Sequence, residues 1–326
     1  MHRAEYSTRG PIPQDTIACV EFTLPPLGDG QALIEVLAAP INPSDVLQLT
    51  GLYGVLPPLP AVGGNEGVGR ISELGPGVTT HRAGQTVLLP AGSGTWSSHM
   101  IAEAKRLIPL PEGADPTQLA MLTVNPPTAS LLLSEFVELE QGSWVIQNTA
   151  NSAVGGYVIQ LAKIRGFRTV NVVRRESAVA AVAAMGGDIV VVDGPGLAHR
   201  VAEATSGAPI RLAIDATGGS ATGRLCECLA AGGVLVNYGA MSGEPCSVPP
   251  ASFVFRDVTL RGFWLTQWFK RAAPERQKQV FGELGLLVAT GTLKARVQAT
   301  YPLARIKDAI TASAAGERNG KIVLVP

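Results

Sequence analysis

Residues 144–156 have the sequence WVIQNTANSAVGG, and this stretch decides the fold. An apolar strand over residues 143–147 turns tightly into an amphipathic helix over residues 153–165. A turn of this kind presents free backbone N–H groups to a pyrophosphate. Gly155 alone matches a glycine of the G-x-G-x-x-G fingerprint, although small neighbouring side chains keep the backbone approachable. The stretch therefore indicates a dinucleotide site, and the alternative is an ordinary strand–helix turn.

The region from about Thr123 to Gly262 repeats strand, helix and strand around that turn. Short apolar strands are predicted at residues 143–147, 169–173, 189–192, 212–215 and 234–238, with helices at 153–165, 177–185, 197–205 and 220–230. Continuous apolar strands separated by helices of this length predict a parallel sheet covered on both faces.

The flanking regions have a different texture. Residues 1–122 alternate short β-rich runs with Gly/Pro turns, which predicts a mainly antiparallel, barrel-like domain. The glycine cluster over residues 63–69 lies among these runs with no helix behind it, and so predicts a tight turn rather than a phosphate site. Helices near residues 274–290 and 304–314 and a strand at 321–325 are expected to return to the first domain.

The composition fits a two-domain globular protein. The chain has 326 residues, of which 46% are hydrophobic and 16% charged. Its net charge of zero gives no reason to expect nucleic acid or a membrane surface as a partner. The uncharged run over residues 117–134 is interrupted by Asn125-Pro126-Pro127, so no membrane segment is predicted.

The four cysteines, Cys19, Cys226, Cys228 and Cys246, do not form a disulfide framework. The N-terminal residues resemble neither a signal peptide nor a transit peptide. A reducing, cytoplasmic location is therefore the expectation.

The tip of the second predicted strand selects the cofactor. Arg174-Arg175-Glu176 follows Val173, where an NAD-specific site would place an acid for the ribose hydroxyls. Arginine instead holds a 2′-phosphate through charge-assisted hydrogen bonds of about 1.5–3 kcal/mol each. The sequence therefore favours NADPH. Two alternatives remain open: a solvated helix start, and Glu176 as the ribose acid.

Other chemistries lack their residue patterns. The four histidines are scattered, and Cys226 and Cys228 fall two apart in a predicted helix, so no metal set is visible. There is no G-x-S-x-G elbow of a hydrolase. By elimination, a hydride cofactor carries the chemistry and the protein orients, polarises and protonates.

The chain resembles the medium-chain dehydrogenase/reductase superfamily. Zinc alcohol dehydrogenases of that superfamily have a cysteine at the position of Asn42 and a histidine at that of Asn65, so both metal ligands are replaced by amides. The resemblance implies an α/β fold: a GroES-like β-barrel-type catalytic domain over residues 1–122 and 265–326, and an inserted, doubly wound Rossmann NADPH-binding domain over residues 123–264.

A closer resemblance is to the mitochondrial-type trans-2-enoyl thioester reductases, within the zinc-free quinone oxidoreductase-like branch. The matching stretches run through most of the chain: residues 41–45, 59–67, 94–96, 124–126, 145–148 with 151–152, and 261–265 with 267–268.

This resemblance implies the site residues. It makes Tyr53 the proton donor. It places cofactor contacts at Asn125, Asn151, Ser152, Ala153, Val154, Arg174, Arg175, Glu176, Tyr238, Gly239, Ala240, Met241, Phe263, Trp264, Leu265 and Lys321. Two departures are Ala153, where the family has glycine, and the order Arg-Arg-Glu, where the family has Arg-acid-Arg.

The implied reaction is reduction of an enoyl thioester, with hydride from NADPH to the β-carbon and a proton from Tyr53 to the α-carbon. Without the resemblance, Tyr53 is equally a loop aromatic between two turn glycines. A reductase of quinones or of small activated alkenes (enals, enones, haloacrylates) is the second interpretation, and a crystallin-like or RNA-associated protein the third. The resemblance also implies a homodimer.

Overall fold

The computed structural model describes residues 1–315 and 318–326. The chain forms two compact units, residues 1–124 with 278–326 and residues 125–277. The chain therefore leaves the first unit just before α4 (Asn125–Leu132) and returns to it within α11 (Pro274–Ala289).

The first unit is built mainly on antiparallel strands. Its strands are β1 (His2–Tyr6), β2 (Ile17–Glu21), β3 (Gln31–Pro40), β4 (Ala61–Val62), β5 (Val68–Leu74), β6 (Thr86–Leu88), β7 (His99–Glu103), β8 (Ile108–Pro109), β15 (Val297–Tyr301) and β16 (Lys321–Leu324). Its helices are α1 (Pro13–Thr16), α2 (Pro43–Thr50), α3 (Pro116–Leu119) and α12 (Ile306–Ala314). One sheet has the order β2-β1-β4; the other has the order β15-β16-β3-β5-β6-β8, with β7 also paired to β3. Strands β15 and β16 pair in parallel.

Strand β3 shows why the sequence forms this sheet. Ala32, Ile34, Val36 and Ala38 alternate with more exposed residues and are buried, as the two-residue period of a strand requires. Ala32, Ile34 and Val36 pack with residues of β5 and β6 into the core of this sheet. The expectation of β-runs in this part of the chain is confirmed.

The glycine cluster makes room for a tryptophan. A Cβ at Gly63 would lie 2.2 Å from Cε3 of Trp96, and one at Gly64 would lie 2.5 Å from Cδ1 of the same ring. Trp96 is fully buried. The glycines are therefore needed for packing, in a segment that is not followed by a helix.

The second unit is a parallel sheet between helices. Its strands are β9 (Trp144–Gln147), β10 (Arg168–Val173), β11 (Ile189–Val192), β12 (Ile210–Asp215), β13 (Val234–Asn237) and β14 (Thr259–Gly262). Its helices are α4, α5 (Ala153–Ile164), α6 (Val179–Ala184), α7 (Leu197–Ala204), α8 (Gly219–Cys228), α9 (Pro250–Val254), α10 (Leu265–Arg271) and the start of α11.

The strand order β11-β10-β9-β12-β13-β14, with every pair parallel, is that of a doubly wound dinucleotide-binding fold. The direction of the chain across the sheet reverses at β9, so a ligand is expected at the carboxyl end of that strand. The predicted fold class is confirmed.

The proline pair in the uncharged run falls at a helix start. Helix α4 begins at Asn125, with Pro126 and Pro127 in its first turn, where a proline loses no hydrogen bond. In the described part of the chain, no helix is long and apolar enough to cross a membrane.

Candidate active site

The strand–helix turn after β9 has the geometry of a phosphate-binding turn. Thr149 has a φ of 52°, a left-handed conformation that a branched residue adopts only where its surroundings enforce it. Ser152 caps α5, and its Oγ accepts a hydrogen bond of 3.0 Å from the backbone N–H of Gly155. A Cβ at Gly155 would lie 2.6 Å from the backbone oxygen of Ala150, so only glycine fits there.

A network of buried polar side chains stabilises this turn. Asn148 Nδ2 donates to Asp215 Oδ1 at 2.6 Å, and Asn148 Oδ1 accepts from the backbone of Ala216 at 2.8 Å. Asp215 also accepts from the Thr222 hydroxyl at 2.7 Å and from Asn237 Nδ2 at 3.1 Å. These contacts tie the carboxyl ends of β9, β12 and β13 together.

Sequence reasoning missed this network. Asp215 ends the predicted fourth strand of the unit, and Asn148 follows the first. Two polar residues at the ends of adjacent parallel strands are a signal that could have found it, because such ends lie at one edge of the sheet.

The predicted 2′-phosphate residues lie at the neighbouring strand end. Arg174, Arg175 and Glu176 directly follow β10, whose carboxyl end lies beside that of β9. Arg174 and Glu176 are exposed and Arg175 is half-buried. The sheet therefore brings two arginine residues to the same edge as the phosphate-binding turn.

Two further predicted stretches follow β13 and β14. Tyr238, Gly239, Ala240 and Met241 follow β13, where Tyr238 and Met241 are held by backbone bonds of 2.9 and 3.1 Å to Asp215 and Ala216. Burial raises the pKa of the Tyr238 hydroxyl, and its interaction with Ser152 opposes that shift. A Cβ at Gly239 would lie 2.8 Å from the backbone oxygen of Ala216.

Phe263, Trp264 and Leu265 connect β14 to α10. The N–H of Phe263 donates to the backbone oxygen of Asn237 at 2.9 Å, and its ring packs edge-on against Phe136 at 5.8 Å. Asn125, the remaining predicted residue of this unit, is buried at the start of α4. Apart from Asn125, all the predicted cofactor residues of the second unit thus follow the carboxyl ends of four parallel strands.

Tyr53 belongs to the first unit and follows α2. This helix ends at Gly51, whose φ of 80° turns the chain back, and the N–H groups of Leu52 and Tyr53 both donate to the backbone oxygen of Leu47, at 2.9 and 3.2 Å. Tyr53 is half-buried. Its backbone is therefore fixed directly to the last turn of α2.

A buried group of charged and amide side chains lies at the other end of α2. The Asn42 side chain donates to Glu66 Oε1 at 2.7 Å, and the Asn65 side chain donates to Asp45 Oδ1 at 2.6 Å. The Lys321 ammonium donates to the backbone oxygen of Ile41 at 3.0 Å and to Asn42 Oδ1. The side chains of Asn42 and Asn65, which the resemblance sets at the zinc-ligand positions, therefore both bind carboxylates.

The charges of this group are strongly perturbed. Burial raises the pKa of Asp45 to about 6 and that of Glu66 to about 7, and the Lys321 ammonium opposes both shifts. Burial lowers the pKa of Lys321 to about 8, against the attraction of the two carboxylates. Among the described residues, no group of three or more His, Cys, Asp and Glu side chains is arranged to hold a metal ion.

The residues of the second unit fit a dinucleotide. The N–H groups of Ala153 and Val154, in the first turn of α5, have no acceptor within the described chain, and the dipole of α5 favours an anion at this end. The positions of Gly155 and Gly239, where a Cβ would meet backbone, let the chain pack closely under the turn. Ala153, the departure from the family's glycine, leaves this turn formed.

Comparisons with known proteins agree with this geometry. Residues 28–112 match the family described as alcohol dehydrogenase GroES-like domain, and residues 153–280 match the family described as zinc-binding dehydrogenase. Human mitochondrial enoyl-[acyl-carrier-protein] reductase is 38% identical over 286 residues, which cover 86% of this chain and 77% of the human protein.

Two solved structures are similar over the full length. The complex of Etr1p with NADP and crotonyl-CoA has a TM-score of 0.91 at 26% identity, covering 100% of this chain and 99% of that one. The Escherichia coli quinone oxidoreductase in complex with NADPH has a TM-score of 0.88 at 26% identity, covering 100% of both chains.

These relatives also correct one expectation. The cytoplasmic location predicted from the cysteines and the N-terminal residues is wrong, because curated relatives from human, rat, nematode and Arabidopsis are named as mitochondrial proteins. Unpaired cysteines indicate a reducing environment, and a reducing environment is not specific to one compartment.

Proposed function

We propose that this chain, which belongs to the zinc-independent medium-chain dehydrogenase/reductases of the mitochondrial enoyl thioester reductase type, reduces the activated C=C bond of a trans-2-enoyl thioester. The protein is an oxidoreductase and its cofactor is NADPH. The observation that carries the proposal is the phosphate-binding turn at Ser152 in a chain that is similar to enoyl reductases over 86% of its length.

The second unit supplies the residues that would hold the cofactor. The free N–H groups of Ala153 and Val154 suit the pyrophosphate, and Arg174 and Arg175 suit the 2′-phosphate. The family resemblance adds contacts from Asn125, Asn151, Ser152, Glu176, residues 238–241 and residues 263–265. Bound NADPH supplies a hydride to the substrate.

Lys321 is a special case among the proposed cofactor contacts. Its side chain is 5% exposed, and two of its three ammonium hydrogens point to Ile41 and Asn42. The ammonium has a third hydrogen to donate, and we propose that a bound cofactor accepts it.

Tyr53 provides the proton that completes the reduction. When hydride reaches the β-carbon, the electron pair of the double bond moves toward the thioester carbonyl, whose oxygen becomes an enolate oxygen. The Tyr53 hydroxyl then gives its proton to the α-carbon as the carbonyl re-forms, and the phenolate recovers a proton from water. The product has gained one hydride and one proton, so the charges balance.

The substitution Tyr53→Phe tests this assignment. We expect turnover of crotonyl-CoA to fall by about 10²–10⁴, the usual contribution of a positioned acid, while NADPH affinity changes little. Tyr301→Phe, which removes a hydroxyl from another half-buried tyrosine of the same unit, is the matched control. Unchanged turnover in Tyr53→Phe would remove this residue from the mechanism.

Quinone reduction is the second candidate function, because the similar Escherichia coli structure is a quinone oxidoreductase. A quinone accepts hydride without protonation by Tyr53. Steady-state NADPH oxidation with crotonyl-CoA, longer enoyl thioesters, an enone and a quinone separates the two functions. A preference for the quinone that survives Tyr53→Phe would favour the alternative.

The homodimer stays a prediction, with one supporting feature. Strand β14 is the edge of the second unit's sheet, and all four of its residues are exposed. Phe253, Val254 and Phe255 beside it are 41%, 72% and 82% exposed. An edge strand and the exposed apolar side chains at the end of α9 are features that a second copy could cover, and analytical ultracentrifugation gives the stoichiometry.

A further inference from the structure

The short helix that carries Tyr53 is held at both ends by charged side chains, of which only Lys321 is also a proposed cofactor contact. Helix α2 has eight residues, so its axis is about 12 Å long. Tyr53 lies two residues beyond its C-cap, Gly51. The direction of so short a helix depends on its contacts with the rest of the unit, and any tilt moves Tyr53.

The buried group fixes the beginning of α2. Asn42 is the N-cap, and Asp45 closes a capping box by accepting the Asn42 N–H at 2.7 Å. Asn42 is bound in turn by Glu66 and Lys321, from two other segments of the unit. Glu66 also accepts the N–H of Val124 at 2.8 Å.

The burial of these charges calls for an explanation. Asp45, Glu66 and Lys321 are 2%, 0% and 5% exposed, and taking such groups out of water is costly even when they are paired. A group of well-packed apolar residues would hold the unit together at lower cost. Charged hydrogen bonds differ from apolar packing in that they fix direction, here the direction of the first turn of α2.

Arg9 fixes the loop at the other end. Its guanidinium donates to the backbone oxygen of Pro57, and its Cδ lies 3.4 Å from the place of a Cβ on Gly51. The next residue, Gly10, donates to the backbone oxygen of Leu49 at 3.1 Å. Arg9 therefore spans the loop from the C-cap of α2 to Pro57, and Tyr53 lies within that span.

We propose that Arg9 and the group formed by Asp45, Glu66 and Lys321 are positioning residues that direct the Tyr53 hydroxyl. The group holds the start of α2, and Arg9 holds the loop that follows its end. This inference rests on the proposed function, because it gives Tyr53 a proton to deliver to one face of an α-carbon. The residues act through Tyr53 and the backbone of α2, without contact with the substrate.

The test compares Arg9→Met with Arg9→Lys and with the control Arg3→Met. Arg3 is a half-buried arginine of the same N-terminal segment, and its guanidinium pairs with Glu5 and stacks on Phe22 at 4.9 Å. We expect Arg9→Met to lower kcat for crotonyl-CoA by about ten- to a hundredfold, since a misplacement of about 1 Å has effects of that order. The KM for crotonyl-CoA and the Kd for NADPH should stay within about twofold. Arg9→Lys should recover part of the loss, and Arg3→Met should behave as wild type.

A second measurement reports on Tyr53 alone. In D2O the wild-type chain should place deuterium on the α-carbon in a single configuration, because the exchanged Tyr53 hydroxyl delivers it from one side. Arg9→Met should give a mixture of configurations, as protonation from solvent competes. Asp45→Asn replaces a carboxylate, which accepts hydrogen bonds from Asn42 and Asn65, by an amide whose N–H group cannot accept them. This change at the start of α2 should also give a mixture of configurations.

The outcomes separate this inference from the proposed function. If Arg9→Met keeps its kcat and a single configuration, or if kcat and NADPH affinity fall together with the Tm, Arg9 is not a positioning residue and the inference is overturned. Either result leaves an active wild-type enoyl reductase intact. A wild-type chain that does not reduce crotonyl-CoA overturns the proposed function and the inference with it.

Discussion

Replacing Gly155 by alanine places one methyl group against the backbone of the phosphate-binding turn. The new Cβ would lie 2.6 Å from the backbone oxygen of Ala150 and 2.8 Å from its carbonyl carbon and Cα. The oxygen distance is about 0.8 Å short of the 3.4 Å at which ordinary contact begins. No flexible side chain can move aside, so α5 must shift away from the turn after β9.

The size of the effect follows from two opposing contributions. Overpacking of this kind costs about 1–3 kcal/mol, with the upper value appropriate for backbone atoms. An alanine in place of a helical glycine returns about 1 kcal/mol. We therefore expect the free energy of unfolding to fall by about 2 kcal/mol and the Tm by about 3 °C, because a chain of 326 residues has a large entropy of unfolding.

Cofactor binding should weaken as well, because the shift of α5 moves the N–H groups of Ala153 and Val154. A loss of about tenfold in NADPH affinity corresponds to about 1.4 kcal/mol, less than one charge-assisted hydrogen bond. Thermal denaturation monitored by circular dichroism gives the Tm, and titration of NADPH fluorescence gives the Kd.

Two glycines supply controls. A Cβ at Gly156, the next residue of the helix, would lie 3.3 Å from Sδ of Met185, a flexible side chain, and one at the exposed Gly282 of α11 would meet nothing within 4 Å. Gly156→Ala should leave the Kd unchanged, and Gly282→Ala should raise the Tm slightly. If Gly155→Ala matches Gly156→Ala in both Tm and Kd, the close packing of α5 on the turn is not required.

Two further predictions concern charge. Arg174→Ala should weaken NADPH about ten- to a hundredfold while NADH changes little, since one bond to the 2′-phosphate is lost. The control is Arg168→Ala, at the opposite end of the same strand, where the guanidinium stacks on Trp144 at 4.9 Å; equal weakening of both cofactors by Arg174→Ala would contradict the assignment. Burial raises the pKa of Glu66 to about 7, so the folded chain loses stability as the pH rises from the ordinary glutamate range to that value. Glu66→Gln should therefore flatten the dependence of Tm on pH between about 5 and about 7, a window below the lowered pKa of Lys321, and a curve parallel to wild type would contradict this.

Periodicity located the elements of the second unit closely. The predicted helix over residues 153–165 is α5, Ala153–Ile164, and the predicted strand over 189–192 is β11, Ile189–Val192. Strands that are buried on both faces, as β9 is, appear in the sequence as continuous apolar runs. Polar turn residues end these runs, so the bounds of the strands can be read from the sequence.

Elements without such a pattern escaped prediction. All four residues of β14 are exposed, so no alternation or apolar run marks it as a strand. Helix α2 has two buried residues, Asp45 and Leu49, and one of them is charged, so its buried face does not look apolar. Strand β14 is defined by its pairing with β13, and α2 is defined by its caps at Asn42 and Gly51, so an apolar period marks neither element.

The sequence by itself determined that a strand ending at residue 147 turns tightly into a helix beginning at residue 153, because the change of period and the small residues mark that turn. It also set Arg174 and Arg175 directly after the second strand, whereas the tertiary structure decided that this strand, β10, lies beside β9. Only the tertiary structure decided that Asn148 and Asp215, 67 positions apart, support that turn. It also decided that Lys321 binds Asn42, 279 positions away. The physical reason is range: backbone preference and side-chain period act over a few residues, whereas the pairing of buried polar groups depends on which distant segments the fold brings within about 3 Å.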